Sequence, residues 1–334
     1  MRKVSINQHL ENGESLNLDQ TDKYTAIIGS SPSKGARSPT LWNKVFCNQE
    51  LSVKMHPMDV RTEFLKPVVE ELKKDERFLG GAVAVPNKSQ ITQYLDLVEP
   101  SALVIGAVNC IYRNSDGNLV GANTDGEGAI TSLERVINCR NDHSLEGSNV
   151  LVIGIGGAGH AVSTSVASAI GPEGRLFLAN RTPQVGKLLE NSLEKFCVVK
   201  SINVPPPSEF IECVDIIINC STVGYQFSVI DGDSSYSLQP YTPLGEVNTV
   251  FCTSSSENFE MRYMSKARLE IEKNISNSLT LLSKVRPHAI IFDIIYQPEQ
   301  TMLLKLASCY GLLCLNGLDM NLEQAVLSFW RVMS

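Results

Sequence analysis

The chain has 334 residues, 43% of them hydrophobic and 19% charged, with a formal net charge of −7. That length holds two packed domains, each able to bury its own core. An acidic balance with no outstanding Lys/Arg cluster argues against nucleic acid or a membrane surface as partner.

From Tyr24 onward, short apolar runs alternate with longer helical patterns, the signature of βαβ units around a mostly parallel sheet. The pattern predicts a strand over Thr25–Gly29, a helix opening near Pro39, a strand over Ser52–Met58 and a helix from Thr62 to Arg77. A short strand, Gly81–Val85, stops at Pro86, and a helix starts near Lys88. Ala107–Arg113 and Asn118–Gly121 read as a hairpin, because Asp116-Gly117 between them supports a tight turn. A helix over Gly126–Asn138 and a polar stretch to Ser148 follow. The second block predicts strands at Val150–Ile153, Arg175–Ala179, Val214–Cys220 and Ala289–Ile294, with helices at Gly159–Ile170, Pro183–Lys195, Thr301–Tyr310 and Leu318–Val332. In the last helix Leu318, Leu322, Ala325, Val326, Phe329 and Trp330 recur at helical spacing and predict one buried face. The stretch from Gly224 to Ala289 is rich in Ser, Asn, Pro and Tyr, with one helix around Phe259–Lys273; segments so long and weakly patterned are usually functional or mobile.

The opening residues are polar and lack the apolar core of a signal peptide. No apolar run reaches the roughly 18 residues that cross a bilayer. The nine cysteines are odd in number and form no CxxC pair, and the five histidines form no ligand pairs. A reducing compartment, the cytoplasm, and no metal are expected.

The strongest local motif is Gly154-Ile-Gly156-Gly157-Ala158-Gly159, a GxGxxG that follows an apolar strand and opens a helix. In that context it points to a Rossmann-type dinucleotide turn. Gly154 permits the tight turn, Gly156 lets the backbone approach a pyrophosphate, and Gly159 lets helix and strand pack closely. Unpaired N–H groups at the helix start then receive the anion. A fold preferring NAD places an acid about 20 residues on, at the ribose 2′-hydroxyl. Here the next strand ends Asn180-Arg181-Thr182, with no carboxylate, and the planar fork of Arg181 suits a 2′-phosphate, with Thr182 and Lys187 placed to assist. NADP is expected.

Three further segments carry polar groups where strands end: Gly81–Lys88, Gly106–Cys110 and Gly121–Gly126. A lysine beside a carboxylate suits proton transfer, and Lys88 with Asp125 forms the candidate pair. A lysine at a helix start and an aspartate in a turn also serve structural roles, and the residues alone do not decide.

In the order of these blocks, from Tyr24 to the C-terminus, the sequence resembles the shikimate dehydrogenase family. The strand-Pro-x-Lys segment matches Val83–Lys88, GAVNT matches Gly106–Cys110 with Cys110 for the threonine, and GxNTDG matches Gly121–Gly126 in full. The glycine turn matches Gly154–Ala161, and the NRT that reads NADP matches Asn180–Thr182. An INxTxxG-like strand end matches Ile218–Gly224. DxxYxPxxTxLL appears as Asp293, Tyr296, Pro298, Thr301, Leu303 and Leu304, and GxxMxxxQA as Gly317, Met320, Gln324 and Ala325.

The resemblance implies an α/β chain of two domains: a substrate domain over 24–127, to which the C-terminal helix (316–334) returns, and a Rossmann-type NADP domain over 128–315 with a long insertion at about 225–288. Residues 1–23 then form a polar extension. It implies interconversion of 3-dehydroshikimate and shikimate, or a close analogue, with NADP(H) as cofactor. Lys88 would exchange the hydroxyl proton while Asp125 orients it. Asn109 and Asp125 would hold ring hydroxyls, Gln324 another, and Tyr296 would lie near the nicotinamide and substrate. Gly317 falls with Gly154, Gly156, Gly157, Ala158, Gly159 and Asn180 on the cofactor side. A quinate-type acid or another cyclitol is the alternative substrate, and an NADP-binding sensor without catalysis the alternative of another class.

Two departures bear on the substrate. The family's first loop reads HSxSPxxHN, with both serines on the substrate carboxylate; here Ser38, Pro39 and Asn43 match, but Ala36 replaces one serine and Trp42 the histidine. The threonine before the strand-ending proline is Ala84. Hydrogen bonds to charged groups are worth about 1.5–3 kcal/mol each, so an acid substrate needs replacements, for which Arg37 and Lys34 are placed. The partner is thus a small cyclic polyol or acid, and the 225–288 segment leaves room for an oligomer contact such as a homodimer.

Overall fold

The computed structural model describes residues 5–18, 22–139, 144–225, 228–231, 234–237, 241–247 and 259–334. They fall into two compact units, residues 1–129 with 322–334, and residues 130–321. No described helix is long and apolar enough to cross a membrane.

The first unit runs β1 (Lys23–Gly29), α1 (Ser38–Asn48), β2 (Val53–Asp59), α2 (Leu65–Lys74), β3 (Phe78–Val83), β4 (Leu97–Val98), α3 (Pro100–Ile105), β5 (Cys110–Arg113), β6 (Leu119–Ala122) and the start of α4 (Asp125–Asn138). Its sheet has the order β2-β1-β3-β5-β6-β4. The first three strands are parallel, as the βαβ pattern predicts, and the hairpin β5–β6 makes the sheet mixed. Helix α2 buries Leu65, Val68, Val69 and Leu72, one stripe at helical spacing. Its last carbonyls are taken by the Arg113 guanidinium, which donates to Leu72 and Lys73, so the hairpin caps the helix. The helix predicted near Lys88 is instead a series of turns and a short 3₁₀ segment over Ile91–Tyr94, because Asn87 and Lys88 are drawn into bonds with other loops.

Residues 5–18, set apart by sequence as a polar extension, bury Ile6, Leu10, Leu16 and Leu18 in the same core as α2. Their apolar side chains are too sparse to show a period, yet all four reach the core.

The second unit runs β7 (Asn149–Ile153), α5 (Gly157–Ile170), β8 (Arg175–Ala179), α6 (Pro183–Leu193), β9 (Val198–Ile202), α7 (Ser208–Ile211), β10 (Ile216–Asn219), a hairpin β11–β12 (Ser228–Asp231, Ser234–Ser237), α8 (Phe259–Leu282), β13 (Ile290–Asp293), α9 (Met302–Cys309), β14 (Leu313–Asn316) and the start of α10 (Gly317–Met333), whose residues from 322 on belong to the first unit. The six-stranded sheet is parallel throughout, with order β14-β13-β10-β7-β8-β9. From the far edge that is 3-2-1-4-5-6, the doubly wound dinucleotide-binding order. Strands β10 and β13 are buried along their whole length, as a sheet covered on both faces requires. Strands β9 and β14, the two edges of this sheet, are five and four residues long and are not predicted from the sequence.

The helix predicted around Phe259–Lys273 continues to Leu282. Its second half buries one face, with Asn274, Ser278 and Leu282: Asn274 accepts Thr242 N and donates to the carbonyls of Thr242 and Glu246. Residues 241–247 are thereby fixed to α8. Much of the remaining 225–288 insertion, with the roles foreseen for it, lies outside the described residues.

The predicted buried face of α10 needs correction. Ala325 is buried and Phe329 half-buried, but Leu318, Leu322, Val326 and Trp330 are exposed. The face turned inward carries Gln324, Ser328 and Arg331, which find partners in the first unit. Polar residues satisfied by tertiary contacts rotate the helix away from its apolar stripe.

Burial also marks one acid-labile spot. His56 on β2 is buried and its Nε2 has no partner, so desolvation, and next to it Lys54, hold its pKa below the usual histidine value. At neutral pH folded and unfolded chains both carry neutral His56. Below pH about 6.5 the unfolded chain takes up a proton that the folded chain refuses, so stability falls as pH drops. His56→Leu is expected to flatten the decline in Tm between pH 7 and 5 relative to wild type; parallel declines in a thermal melt series would refute the assignment.

Candidate active site

Lys88 stands in the turn after β3, Asp125 is the first residue of α4, and Asn109 precedes β5. The structure brings them together: Lys88 Nζ donates to Asp125 Oδ2 at 2.6 Å, and Asn109 Nδ2 donates to Asp125 Oδ1 at 2.8 Å. The Asp125 side chain is only 12% exposed and Lys88's 26%, so the pair is half withdrawn from water yet reachable. Asn109 is fixed in turn, because its Oδ1 accepts Thr124 N at 2.8 Å. Its Nδ2 has three acceptors in range, Asp125, Thr124 Oγ1 at 3.0 Å and Gln324 Oε1 at 3.3 Å. An amide nitrogen carries two protons, so the contact to Gln324, the longest of the three, is the weakest.

Thr124, which the sequence reasoning did not single out, ties α10 to this cluster. Its hydroxyl donates to the Gln324 carbonyl at 3.0 Å and lies 2.9 Å from Ser328 Oγ. Two residues beyond Asp125, Glu127 receives both oxygens' worth of contact from Arg331 Nη2 at 2.9 and 3.1 Å, and Arg331 Nε reaches Glu99 at 3.3 Å.

In the second unit the glycine turn has the form the motif predicts. Gly154 has φ +92°, and a Cβ there would collide with Ser221 after β10. A Cβ on Gly159 would sit 1.9 Å from the Gly154 carbonyl oxygen. Gly156 and Gly157 face open space, and α5 starts with no side-chain cap, leaving its first N–H groups for an anion. Ala158 sits within that first turn. The cradle therefore fits a dinucleotide pyrophosphate. Asn180 joins the cradle to the next loop: its Oδ1 accepts Ile155 N at 3.2 Å and its Nδ2 donates to the Thr182 carbonyl at 3.0 Å. Arg181 and Thr182 are exposed at the start of α6, whereas Lys187 is held by Glu190 at 2.5 Å.

Tyr296 and Gly317 lie in the same unit. Gly317 is packed so tightly that a Cβ would meet the Ile294 carbonyl at 1.8 Å, and its N–H donates to the Ile295 carbonyl. Tyr296 follows a buried acid, Asp293, which accepts the Thr301 hydroxyl at 2.7 Å, Asn219 Nδ2 at 3.0 Å and Ile295 N at 3.1 Å. This network fixes the loops after β10 and β13.

In the first loop Ser38 opens α1 and Arg37, at its N-cap, is exposed, as is Lys34. Ser33, just before, is committed to Asp59, to which its N–H and hydroxyl both donate. Trp42 is buried among Phe46 and Phe329, 6.3 and 5.3 Å away between ring centroids, so it is core and adds no bulk to a pocket. Ala36 and Ala84 both pack against that cluster. No group of residues able to hold a metal occurs among the described residues.

Residues 27–111 match the shikimate dehydrogenase substrate binding domain. Over 310 residues the chain is 31% identical to the NADP(+) shikimate dehydrogenase of Bacillus subtilis, covering 92% of this chain and 90% of that one. The chain belongs to the shikimate dehydrogenase family. A shikimate dehydrogenase crystallised with NADP+ superposes with a TM-score of 0.65 at 25% identity, covering 94% of this chain and 90% of that one. That of Listeria monocytogenes, crystallised with shikimate and NAD, gives 0.70 at 24%, covering 93% and 91%, and so shares the fold. The family fold of an α/β substrate domain and a Rossmann-type domain is thus borne out.

Asp293 supplies a test of the network beneath Tyr296. Burial outweighs its three hydrogen bonds and pushes its pKa up from 3.8 to about 6. The folded chain keeps the proton that the unfolded chain releases near pH 4, so this group's contribution to stability shrinks from pH 4 to 6 and stays low above. Asp293→Asn cannot ionise, and Thr301's hydroxyl can turn to accept. The difference in Tm, variant minus wild type, is expected to rise across that window; a pH-independent difference in calorimetry would refute the raised pKa.

Proposed function

We propose that this chain is an NADP-dependent dehydrogenase that interconverts 3-dehydroshikimate and shikimate, or a close analogue. The observation that carries it is the 2.6 Å contact between Lys88 and Asp125, braced by Asn109, in a member of this family. NADP bound at the glycine turn would supply the hydride acceptor. In the reducing direction the Lys88 ammonium, ion-paired to Asp125, would give its proton to the carbonyl oxygen as hydride arrives at the same carbon; in the oxidising direction the neutral amine would take the hydroxyl proton as hydride leaves. Asp125 stabilises the ammonium so formed and accepts from a neighbouring ring hydroxyl. Asn109 and Gln324 offer an amide donor and acceptor to other hydroxyls, and Tyr296 is the further substrate residue that the family resemblance implies. Gly154, Gly156, Gly157, Ala158 and Gly159 receive the pyrophosphate, Asn180 and Gly317 shape its surroundings, and Arg181 with Thr182 takes the 2′-phosphate. Lys187 can help only by leaving Glu190.

For the ring carboxylate, Ser38 is the retained hydroxyl, and Arg37 with Lys34 stands in for the missing serine and threonine hydroxyls. A second reading is favoured by Ala36 and Ala84, which lack the hydroxyls that the resemblance assigns to the carboxylate: a cyclitol without a carboxylate needs no such donors. Cysteines that are all unpaired among the described residues support a reducing compartment, the cytoplasm.

Purified protein assayed with NADP+ against shikimate, quinate and neutral cyclitols separates these readings. Lys88→Ala is expected to lower kcat about 10²–10⁴-fold while the Kd for NADP+ stays within about two-fold; undiminished turnover would remove the proton-transfer role. Arg181→Ala is expected to weaken NADP+ by about 10–100-fold, the worth of a hydrogen bond to a charged group, and to leave NAD+ nearly unchanged. Equal losses would contradict a 2′-phosphate contact. Arg37→Ala raises KM for acids only, if Arg37 binds the carboxylate.

A further inference from the structure

The turn under Lys88 is held by polar groups that the chemistry above does not use. Asn87, immediately before Lys88, is completely buried. Its Nδ2 donates to the Val60 carbonyl at 3.1 Å, and its Oδ1 accepts the Thr62 hydroxyl at 3.1 Å. Along the backbone, Asn87 N donates to the Ala84 carbonyl and Ile91 N donates to the Asn87 carbonyl. The Lys88 carbonyl accepts Val108 N at 2.8 Å, and Val60 N donates to the Gly29 carbonyl at 2.7 Å. The loops that follow β2 and α3 therefore converge on residues 87 and 88, and the first of them is tied in turn to the end of β1.

An apolar side chain would fill the space of Asn87 without the desolvation that an amide suffers there. An amide adds direction, because losing either partner strands a buried polar group at a cost of about 1–3 kcal/mol. Direction matters here because a lysine hangs its charge on a flexible four-carbon stem. Where the ammonium comes to rest depends on where its Cα is anchored.

We propose that Thr62 and Asn87 are positioning residues for Lys88, fixing its turn so that Nζ meets Asp125. Neither touches the reacting atoms. The proposal rests on Lys88 being the proton-transfer group of the function proposed above, and its test is chosen to stand apart from that function.

The decisive measurement is the Nζ resonance of Lys88, followed by NMR in ligand-free, full-length protein and assigned through Lys88→Ala. Thr62→Val removes the hydroxyl at nearly constant volume, Thr62→Ser keeps it, and Asn87→Leu removes both amide contacts. The Lys88 signal is expected to shift in Thr62→Val and to return in Thr62→Ser. With shikimate and NADP+, kcat of Thr62→Val falls about 10-fold or more, toward the roughly 100-fold that a misplacement of an ångström costs. The solvent deuterium isotope effect on kcat rises, and the KM for NADP+ is unchanged. A Lys88 signal identical in all folded variants overturns the proposal, as does equal displacement by Val and Ser. Should Asn87→Leu fail to fold, the Thr62 pair still decides. Wild-type protein inert toward shikimate would reject the proposed substrate while the NMR comparison judges the positioning role on its own.

Discussion

The first unit depends on one buried carboxylate finding its donors. Removing a carboxylate from water costs several kcal/mol unless a cation and hydrogen bonds replace the solvent. Asp125 obtains the cation from Lys88 and a hydrogen bond from Asn109. To deliver them, the chain must bring the ends of β3, α3 and β6 to one place. Asn109 is the hinge of the arrangement: its carbonyl oxygen holds the backbone of Thr124, and its nitrogen holds the carboxylate of the next residue. Losing Lys88 would thus strand a buried negative charge on Asp125, so a variant at this position loses stability as well as an amine.

Two buried aspartates show how neighbours decide what a carboxylate does. Asp125 faces an ammonium. The groups that face Asp293 are a hydroxyl, an amide and a backbone N–H, all neutral, so burial prevails and the carboxyl holds its proton to about pH 6. The first arrangement suits proton exchange with a ligand. The second suits a fixed junction between the loops that carry Ser221 and Tyr296, where the acid's oxygens collect donors from three places at once.

Much of this was legible in the sequence, and the reasons differ by element. The glycine turn was readable because close approach leaves a mark in composition: a Cβ at Gly159 has nowhere to go. The βαβ alternation gave a mostly parallel sheet, because strands covered on both faces must be apolar throughout. The orientation of α10 was not readable, since its stripe of Leu318, Leu322, Val326 and Trp330 has the right period and the wrong face. Its true anchors, Gln324, Ser328 and Arg331, find their partners some 200 residues earlier in the chain, as with the 204-residue separation of Arg331 from Glu127. Thr62 and Asn87 were invisible for the same reason: a threonine in one loop and an asparagine in another have meaning only once folded together.

The first loop is where sequence and structure pull in different directions over the substrate. Ala36 and Ala84 have lost hydroxyls, and both lie against the cluster of Trp42, Phe46 and Phe329. Trp42 lies inside that cluster, on the same helix that Ser38 opens and Arg37 precedes. An arginine at a helix start can offer two parallel N–H donors and a positive charge to a carboxylate, whereas a hydroxyl offers one neutral donor. Loss of hydroxyls and retention of an acid substrate are therefore compatible, provided the guanidinium turns toward the ring.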